Sequence, residues 1–439
     1  MRDIVITLIV LASLPYAFKR PYIGVLMWVW ISVMNPHRLS WGFAYSFPFA
    51  AIIAATTLAG LVFTSDPKKL PMTPVVSTFI AFGAWMAFTT LFAFSPDSSE
   101  MLSRVMKIFL MTLVTMMVIK DKRQLHMLIW VLVGSLGYYG IKGGIFTVVS
   151  GGNFRVWGPE GSFIEGNNEV ALALITITPM FYYLFLTTPH KWLRYGFAAS
   201  MLLCALAALG SYSRGALLGI TAMILFLWLK SPKKMVLGLV LAMMIPAAIA
   251  FMPAQWTERM NTVKEYQEDS SAMGRINAWS MAYNLASDRP LVGGGFEIYD
   301  APTFARYAPN PADIHAAHSV YFQALGEHGF VGLGLYLLLG LLVWRRGTRI
   351  IKLAASRPDL QWARTLATML QVSMVGFGAG GAFLSLLYFD VPYYLMALMT
   401  ITGGIVDDAV KAEETETKLR KQKAIPGRAL ANAAISQQK

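Results

Sequence analysis

His318 stands where a polar loop runs into an apolar stretch, a position from which an imidazole can act on a molecule anchored in lipid. Neutral imidazole near pH 7 accepts a hydroxyl proton, so general base is the role its type and place suggest. Glu327 and His328 follow in Glu327-His328-Gly329. Glu327 is about two and a half helical turns further on, which suits it to orient the fold or a backbone group rather than to touch His318. Two arginines complete the set. Arg214 lies in Ser211-Tyr212-Ser213-Arg214-Gly215 between two apolar runs. A guanidinium there costs about 2.5–3.5 kcal/mol if it reaches a membrane core, so it usually has a task or snorkels to the headgroups. Arg275 is expected to open a helix within the loop, where free N–H groups attract anions. The two guanidinium groups together suit a diphosphate, each able to bind oxygens bidentately. The plainer readings are an interface anchor for Arg214, an ion pair with Glu268 or Asp269 for Arg275, and a structural histidine at position 318.

Weaker candidates surround these. Arg155, in the polar stretch 155–169, offers a third cationic contact, and Asn168 in the same stretch can cap the next helix. Arg289 and His315 are further candidate substrate contacts. The His315/His318 spacing can place two zinc ligands on one helix face, with Glu327 distant, but no cysteine or close carboxylate completes the set. No metal and no cofactor are therefore expected. Gly293-Gly294-Gly295-Phe296 reads as a flexible turn, and without a following Lys-Ser/Thr it is not a P-loop. Asn35-Pro36-His37-Arg38 interrupts an apolar run as a re-entrant segment with no assigned role.

The elements that must hold these residues are membrane helices. The chain of 439 residues is 56% hydrophobic and 14% charged, against about 25% charged in soluble domains. Apolar runs recur at 3–18, 22–34, 44–63, 74–94, 105–119, 125–149, 168–187, 195–212, 215–230, 235–252, 318–344, 365–388 and 393–406. This predicts an all-α polytopic membrane protein with about 12 transmembrane helices from 12–13 apolar segments, the first two forming a hairpin around Lys19-Arg20-Pro21. The net charge of +13 belongs to short basic loops that orient the chain, so nucleic acid is not an expected partner. The loops 65–69, 120–123, 190–194 and 230–234 and the stretch 345–364 are basic and read as cytoplasmic. The loops 95–104 and 150–167, the turn 211–214 and the long segment 253–317 then face outward; the last has five basic and eight acidic residues. Within it, Ile276, Trp279, Ala282 and Tyr283 recur at helical spacing over 275–286, with Pro290 as a stop. The expected organisation is 1–149 N-terminal helices, 150–252 central helices, 253–317 outer loop with short helices, 318–406 C-terminal helices and 407–439 a partly disordered cytoplasmic tail. Cys204, the single cysteine, lies in an apolar run and excludes an intrachain disulfide.

At several of these residues the sequence resembles the bacterial O-antigen ligase and polymerase superfamily. The matching pieces, in the family's order, are Ser213-Arg214-Gly215, Gly274-Arg275 with Trp279, and Arg289-Pro290-Leu291-Val292-Gly293-Gly294-Gly295. His318-Ser319 with Leu325-Gly326-Glu327-His328-Gly329 and Gly332 completes them. They cover roughly residues 150–345. The stretch Asn35-Pro36-His37-Arg38-Leu39-Ser40-Trp41-Gly42-Phe43 looks like the branch of exosortase-associated O-glycosylation ligases. The resemblance implies a glycosyltransferase C-type membrane fold in the bacterial inner membrane with a periplasmic site. It implies transfer of a glycan from undecaprenyl diphosphate to a lipid A–core oligosaccharide without metal or cofactor, with membrane lipids as the surroundings. It also implies His318 as the catalytic base and Arg214 and Arg275 as the diphosphate ligands. The alternatives are an O-antigen polymerase, a protein O-oligosaccharyltransferase and, in another class, a transporter of polyprenyl-linked glycan or anions.

Overall fold

The computed structural model describes residues 1–65, 68–230, 234–261 and 270–436. Within these the chain is helical, with no strand. The helices are α1 (Arg2–Lys19), α2 (Pro21–Val29), α3 (Phe49–Phe63), α4 (Pro74–Thr90), α5 (Ser98–Val118), α6 (Lys122–Val149), α7 (Asn167–Thr187) and α8 (Lys191–Gly210). They continue as α9 (Arg214–Lys230), α10 (Lys234–Phe251), α11 (Ala254–Asn261), α12 (Ser270–Asp288), α13 (Ala301–Tyr307), α14 (Val320–Leu353), α15 (Gln361–Gly381) and α16 (Asp390–Ser436). Each apolar run of the sequence carries a helix. Local chemistry marks several starts: Thr73 accepts the Val76 N–H ahead of Pro74, and Asp121 accepts the Gln124 N–H at 2.8 Å. Asp66, Pro67 and residues 231–233, parts of two loops read above as cytoplasmic, lie outside the described residues.

Among the described residues, five helices are long and apolar enough to cross a membrane: α5, α6, α7, α8 and α14. Three apolar helical stretches are shorter, Pro21–Met34, Phe49–Phe63 and Pro74–Thr90. The bundle core forms where α6, α7 and α8 pack together and α15 lies against α7, α9 and α14. α1, α2 and α3 pack on one another at the N-terminus and join the same core, with α2 against α5 and α6. Many helices also keep an exposed apolar face, as Leu8, Leu110, Leu218 and Leu341 do. A helix apolar on both faces suits a surrounding of lipid.

Two breaks interrupt the helices. After α2 the helix widens to a π turn (Trp30–Met34), and Asn35 adopts a left-handed conformation at φ 49°. A 3-10 turn over Pro36–Leu39 follows. The Asn35 side chain donates to Ser32 O at 2.8 Å, and the Tyr139 hydroxyl donates to Met34 O. The second break is in α14 at Gly329, φ 69° and ψ −173°. It frees backbone groups that a membrane core cannot leave unpaired. The Gly294 and Gly295 N–H groups donate to Gly326 O and Glu327 O at 2.9 and 2.8 Å, and Phe330 N–H donates to Pro290 O at 2.9 Å. The Trp85 indole donates to His328 O at 3.1 Å. The glycine run is therefore not the flexible turn expected from its composition. Two of its N–H groups are spent on α14, so they are not available to cradle a phosphate.

The apolar run 365–388 also divides. α15 stops at Gly381, and 382–389 is an irregular, largely buried passage into α16. At the opposite end of α14, Arg346 and Arg349 pair with Asp407 at 2.6 and 3.4 Å, and Arg357 reaches Glu413 at 3.0 Å.

Candidate functional site

The Arg214 turn is shaped by its serines. Ser211 Oγ donates to Ala208 O at 2.6 Å and accepts the Ser213 N–H at 3.2 Å. Ser213 Oγ accepts the Ala216 N–H at 3.1 Å, the bond of an N-cap, so Arg214 begins α9. Asn167, the first residue of α7, donates to Ser211 O at 2.6 Å and fixes the turn against that helix. Asn168 lies within the first turn of α7 and is not its cap, which is Gly166. Tyr212 sits at φ 60°, its hydroxyl donating to Gly152 O at 2.7 Å.

Arg275 projects from α12, which is longer than the periodicity implied. The helix is present from Ser270, so Arg275 is inside it, and the free N–H groups of a helix start do not add to its charge. Glu268 and Asp269, its expected ion-pair partners, lie outside the described residues. Arg214 and Arg275 line one cavity of about 250 Å³ with Leu218, Ala272, Trp279 and Phe383. Glu169, in the first turn of α7, interacts electrostatically with Arg275. Glu169 ends the polar stretch 155–169, but the sequence alone does not single out this carboxylate.

The segment before α14 is laced to α12. Asn277 donates to Asn310 O and Asp313 O at 2.8 and 2.9 Å, and the Trp279 indole donates to Ala317 O at 2.6 Å. Trp279 also stacks on Phe322, ring centres 5.0 Å apart. His318 therefore precedes α14 rather than opening it. It holds φ 44°, a left-handed conformation that costs a non-glycine residue about 1–3 kcal/mol and clusters at functional sites. Its half-buried ring has an Nδ1 that meets no hydrogen-bond partner among the described residues. Burial first, then the nearby Arg275 and His315, lowers its pKa from 6.5 to about 4. His318 is neutral at pH 7, the form a base requires.

The remaining candidates are dispersed around this centre. His315 Nδ1 lies 2.9 Å from Asp313 Oδ1, and a Cβ at Gly274 would press on its ring. Since 314–318 is not helical, His315 and His318 share no helix face. Arg155 lies over the Tyr212 ring at 5.7 Å, behind the Arg214 turn. Arg289 donates to Phe92 O at 2.8 Å and covers the Phe94 ring, at the base of the glycine run rather than on the arginine cavity.

Glu327 does not approach His318. It accepts a hydrogen bond from the Tyr388 hydroxyl, which also meets His328 Nε2 at 2.7 Å, while His328 Nδ1 meets Thr89 Oγ1 at 2.8 Å. All four side chains are buried. The chain Glu327–Tyr388–His328–Thr89 ties α14, the 382–389 passage and α4 together at the Gly329 break.

Two family models match the chain. Residues 1–188 match a family of unknown function, DUF5935. Residues 199–337 match the O-antigen ligase family. No curated protein matches. The ligase match contains Arg214, Arg275, Arg289, His315 and His318, while Arg155 and the Asn35–Arg38 break fall in the other. The match implies an enzyme of the O-antigen ligase type, and with the apolar helices it indicates a multi-pass membrane protein. The match over residues 199–337 supports membership of the chain in the O-antigen ligase superfamily.

Proposed function

We propose that the protein is an inverting, metal-independent glycosyltransferase that moves an O-antigen glycan from undecaprenyl diphosphate to a hydroxyl of lipid A–core oligosaccharide, at the periplasmic face of the bacterial inner membrane. The observation that carries this reading is the shared cavity of Arg214 and Arg275, with His318 close enough for Arg275 to lower its pKa. Two guanidinium groups on one cavity match the charge of a lipid pyrophosphate. A neutral imidazole beside them can take the acceptor proton. The acceptor oxygen attacks the anomeric carbon from the face opposite the diphosphate, the bond to the diphosphate breaks, and the arginines stabilise the charge that grows on the leaving group. An apolar cavity of about 300 Å³ beginning at Tyr321, walled by Phe377, Tyr393 and Met396, offers a place for part of a polyprenyl tail.

The test is reconstitution of purified protein with undecaprenyl-diphosphate glycan and core lipid. His318→Ala is expected to bind donor normally and to lose about 10²–10⁴-fold in transfer rate. Near wild-type transfer by that variant would end the base assignment, and inhibition by chelator would end the metal-independent one. Offering lipid-linked repeat and a protein acceptor in parallel separates ligase from polymerase and from protein glycosylation. An O-antigen polymerase uses the same donor chemistry, so the arginine cavity supports it equally.

A further inference from the structure

The Asn35–Arg38 break, which the transfer chemistry leaves unused, lines a second and larger cavity of about 520 Å³. That volume is in the range of about 300–1,000 Å³ typical of ligand sites. Arg38 comes from the 3-10 turn, Arg104 and Lys107 from the first half of α5, and Asp390 from the start of α16. The stretch 161–165 closes one side, and Trp28 and Ile108 supply apolar wall.

The charges are set apart by sign and by burial. Lys107 and Arg104 are exposed, and Arg104 pairs with the exposed Glu100 at 3.4 Å. The Arg38 guanidinium lies over the Tyr45 ring at 4.6 Å, which stiffens it. Glu165 turns its carboxylate to the Gly161 N–H at 2.8 Å. Asp390 is 3% exposed; its carboxylate meets Ser32, on the same cavity, and its own backbone, while its Oδ2 meets no hydrogen-bond partner among the described residues. A buried acceptor without a donor is costly and calls for a ligand that brings one. A bare anion held by the cations would be repelled by that carboxylate. A sugar ring with an acidic substituent satisfies both, since its hydroxyls donate to Asp390 and its charge meets the cations.

We propose that this cavity binds an anionic saccharide, with Arg38, Arg104 and Lys107 taking the acidic group and Asp390 accepting from sugar hydroxyls. The stretch 161–165 leads directly into α7, whose Glu169 interacts with Arg275. One short stretch, 161–169, therefore runs from this cavity to the contact with Arg275, which assigns the saccharide held here to a transfer substrate. Only that assignment to a transfer substrate rests on the reading of the arginine cavity; the ligand chemistry does not.

The experiment is titration of the full-length chain in detergent with a galacturonate trisaccharide, maltotriose and inorganic phosphate. The uronate is expected to bind saturably and at least about tenfold more tightly than either of the others. Arg38→Gln and Asp390→Asn are each expected to weaken it by about tenfold or more. Should the buried Asp390 variant fail to fold, the exposed pair Arg104→Gln/Lys107→Gln is expected to weaken uronate binding in the same direction. His318→Ala is expected to bind the uronate as wild type does, which separates failure here from failure of the transferase reading. Phosphate binding as tightly as uronate, maltotriose binding as tightly, or uronate binding indifferent to these substitutions would overturn the proposal.

Discussion

His318 combines a left-handed backbone, an Nδ1 without a partner among the described residues and a pKa lowered to about 4. Burial is the first cause of that shift and Arg275 the second. A base works when neutral, so kcat/KM, which reports the free enzyme, should hold its plateau down to about pH 4 and fall below it. If the proposed diphosphate binds and neutralises Arg275, the acid limb of kcat should lie at higher pH than that of kcat/KM. Arg275→Gln should raise the acid limb of kcat/KM toward 6.5, as rate profiles of the two proteins would show. An acid limb that stays put in Arg275→Gln would separate the two residues. His318→Asn is the cleaner knockout, because asparagine tolerates the left-handed conformation while it removes the base. The position of His318 at a loop boundary was legible in the sequence. Its backbone was not, because the Trp279–Ala317 bond that helps impose it spans 38 residues.

Among the elements, α14 is the one whose geometry is least local. Its break at Gly329 depends on Gly293, at φ 61°, where a Cβ would come within 2.5 Å of Gly326 O and 2.7 Å of Gly329 N. Gly293→Ala should destabilise the protein by about 1–3 kcal/mol, from backbone strain alone. Further along α14, a Cβ added at Gly334 would meet no atom within 4 Å among the described residues. Gly334→Ala should be neutral or stabilising by up to about 1 kcal/mol. Thermal unfolding of the two variants in detergent checks the contrast, and equal midpoints would mean the glycine clamp carries no weight. Apolar runs gave the helices because composition and length are properties of a short window. The glycine run reads wrongly from sequence because its hydrogen-bond partners lie about thirty residues away, at Gly326 and Glu327. Asp390 and Tyr388 stand out as polar groups in an apolar stretch, a signal that sequence reasoning left unused.

Across the whole molecule, the candidate site and the Arg346–Asp407 pair lie toward opposite ends of α14. His318 precedes α14, while Arg346 near its other end binds Asp407. From Asp390 to Asp407 the rise along α16 is about 25 Å, most of a bilayer core. Titration acts on the fold as well as on the site. His318 and His37 are both depressed to about 4, each chiefly by burial. Between 6.5 and 4 these two histidines bind more protons in the unfolded chain than in the folded one, so their contribution to stability is full above that window and declines as pH falls through it. The change in unfolding midpoint between pH 7 and 4 should therefore differ between wild type and His318→Asn, and identical pH profiles of the two proteins would show that the fold does not hold His318 neutral. The contact of α4 with the break in α14 has a further consequence. Trp85 and Thr89 serve His328 across 243 and 239 residues, joining the region matched by DUF5935 to the region matched as ligase. Neither region is a self-sufficient module: a gene cut near position 190 should yield two fragments that recover function only when produced together, because each supplies bonds that the other leaves open.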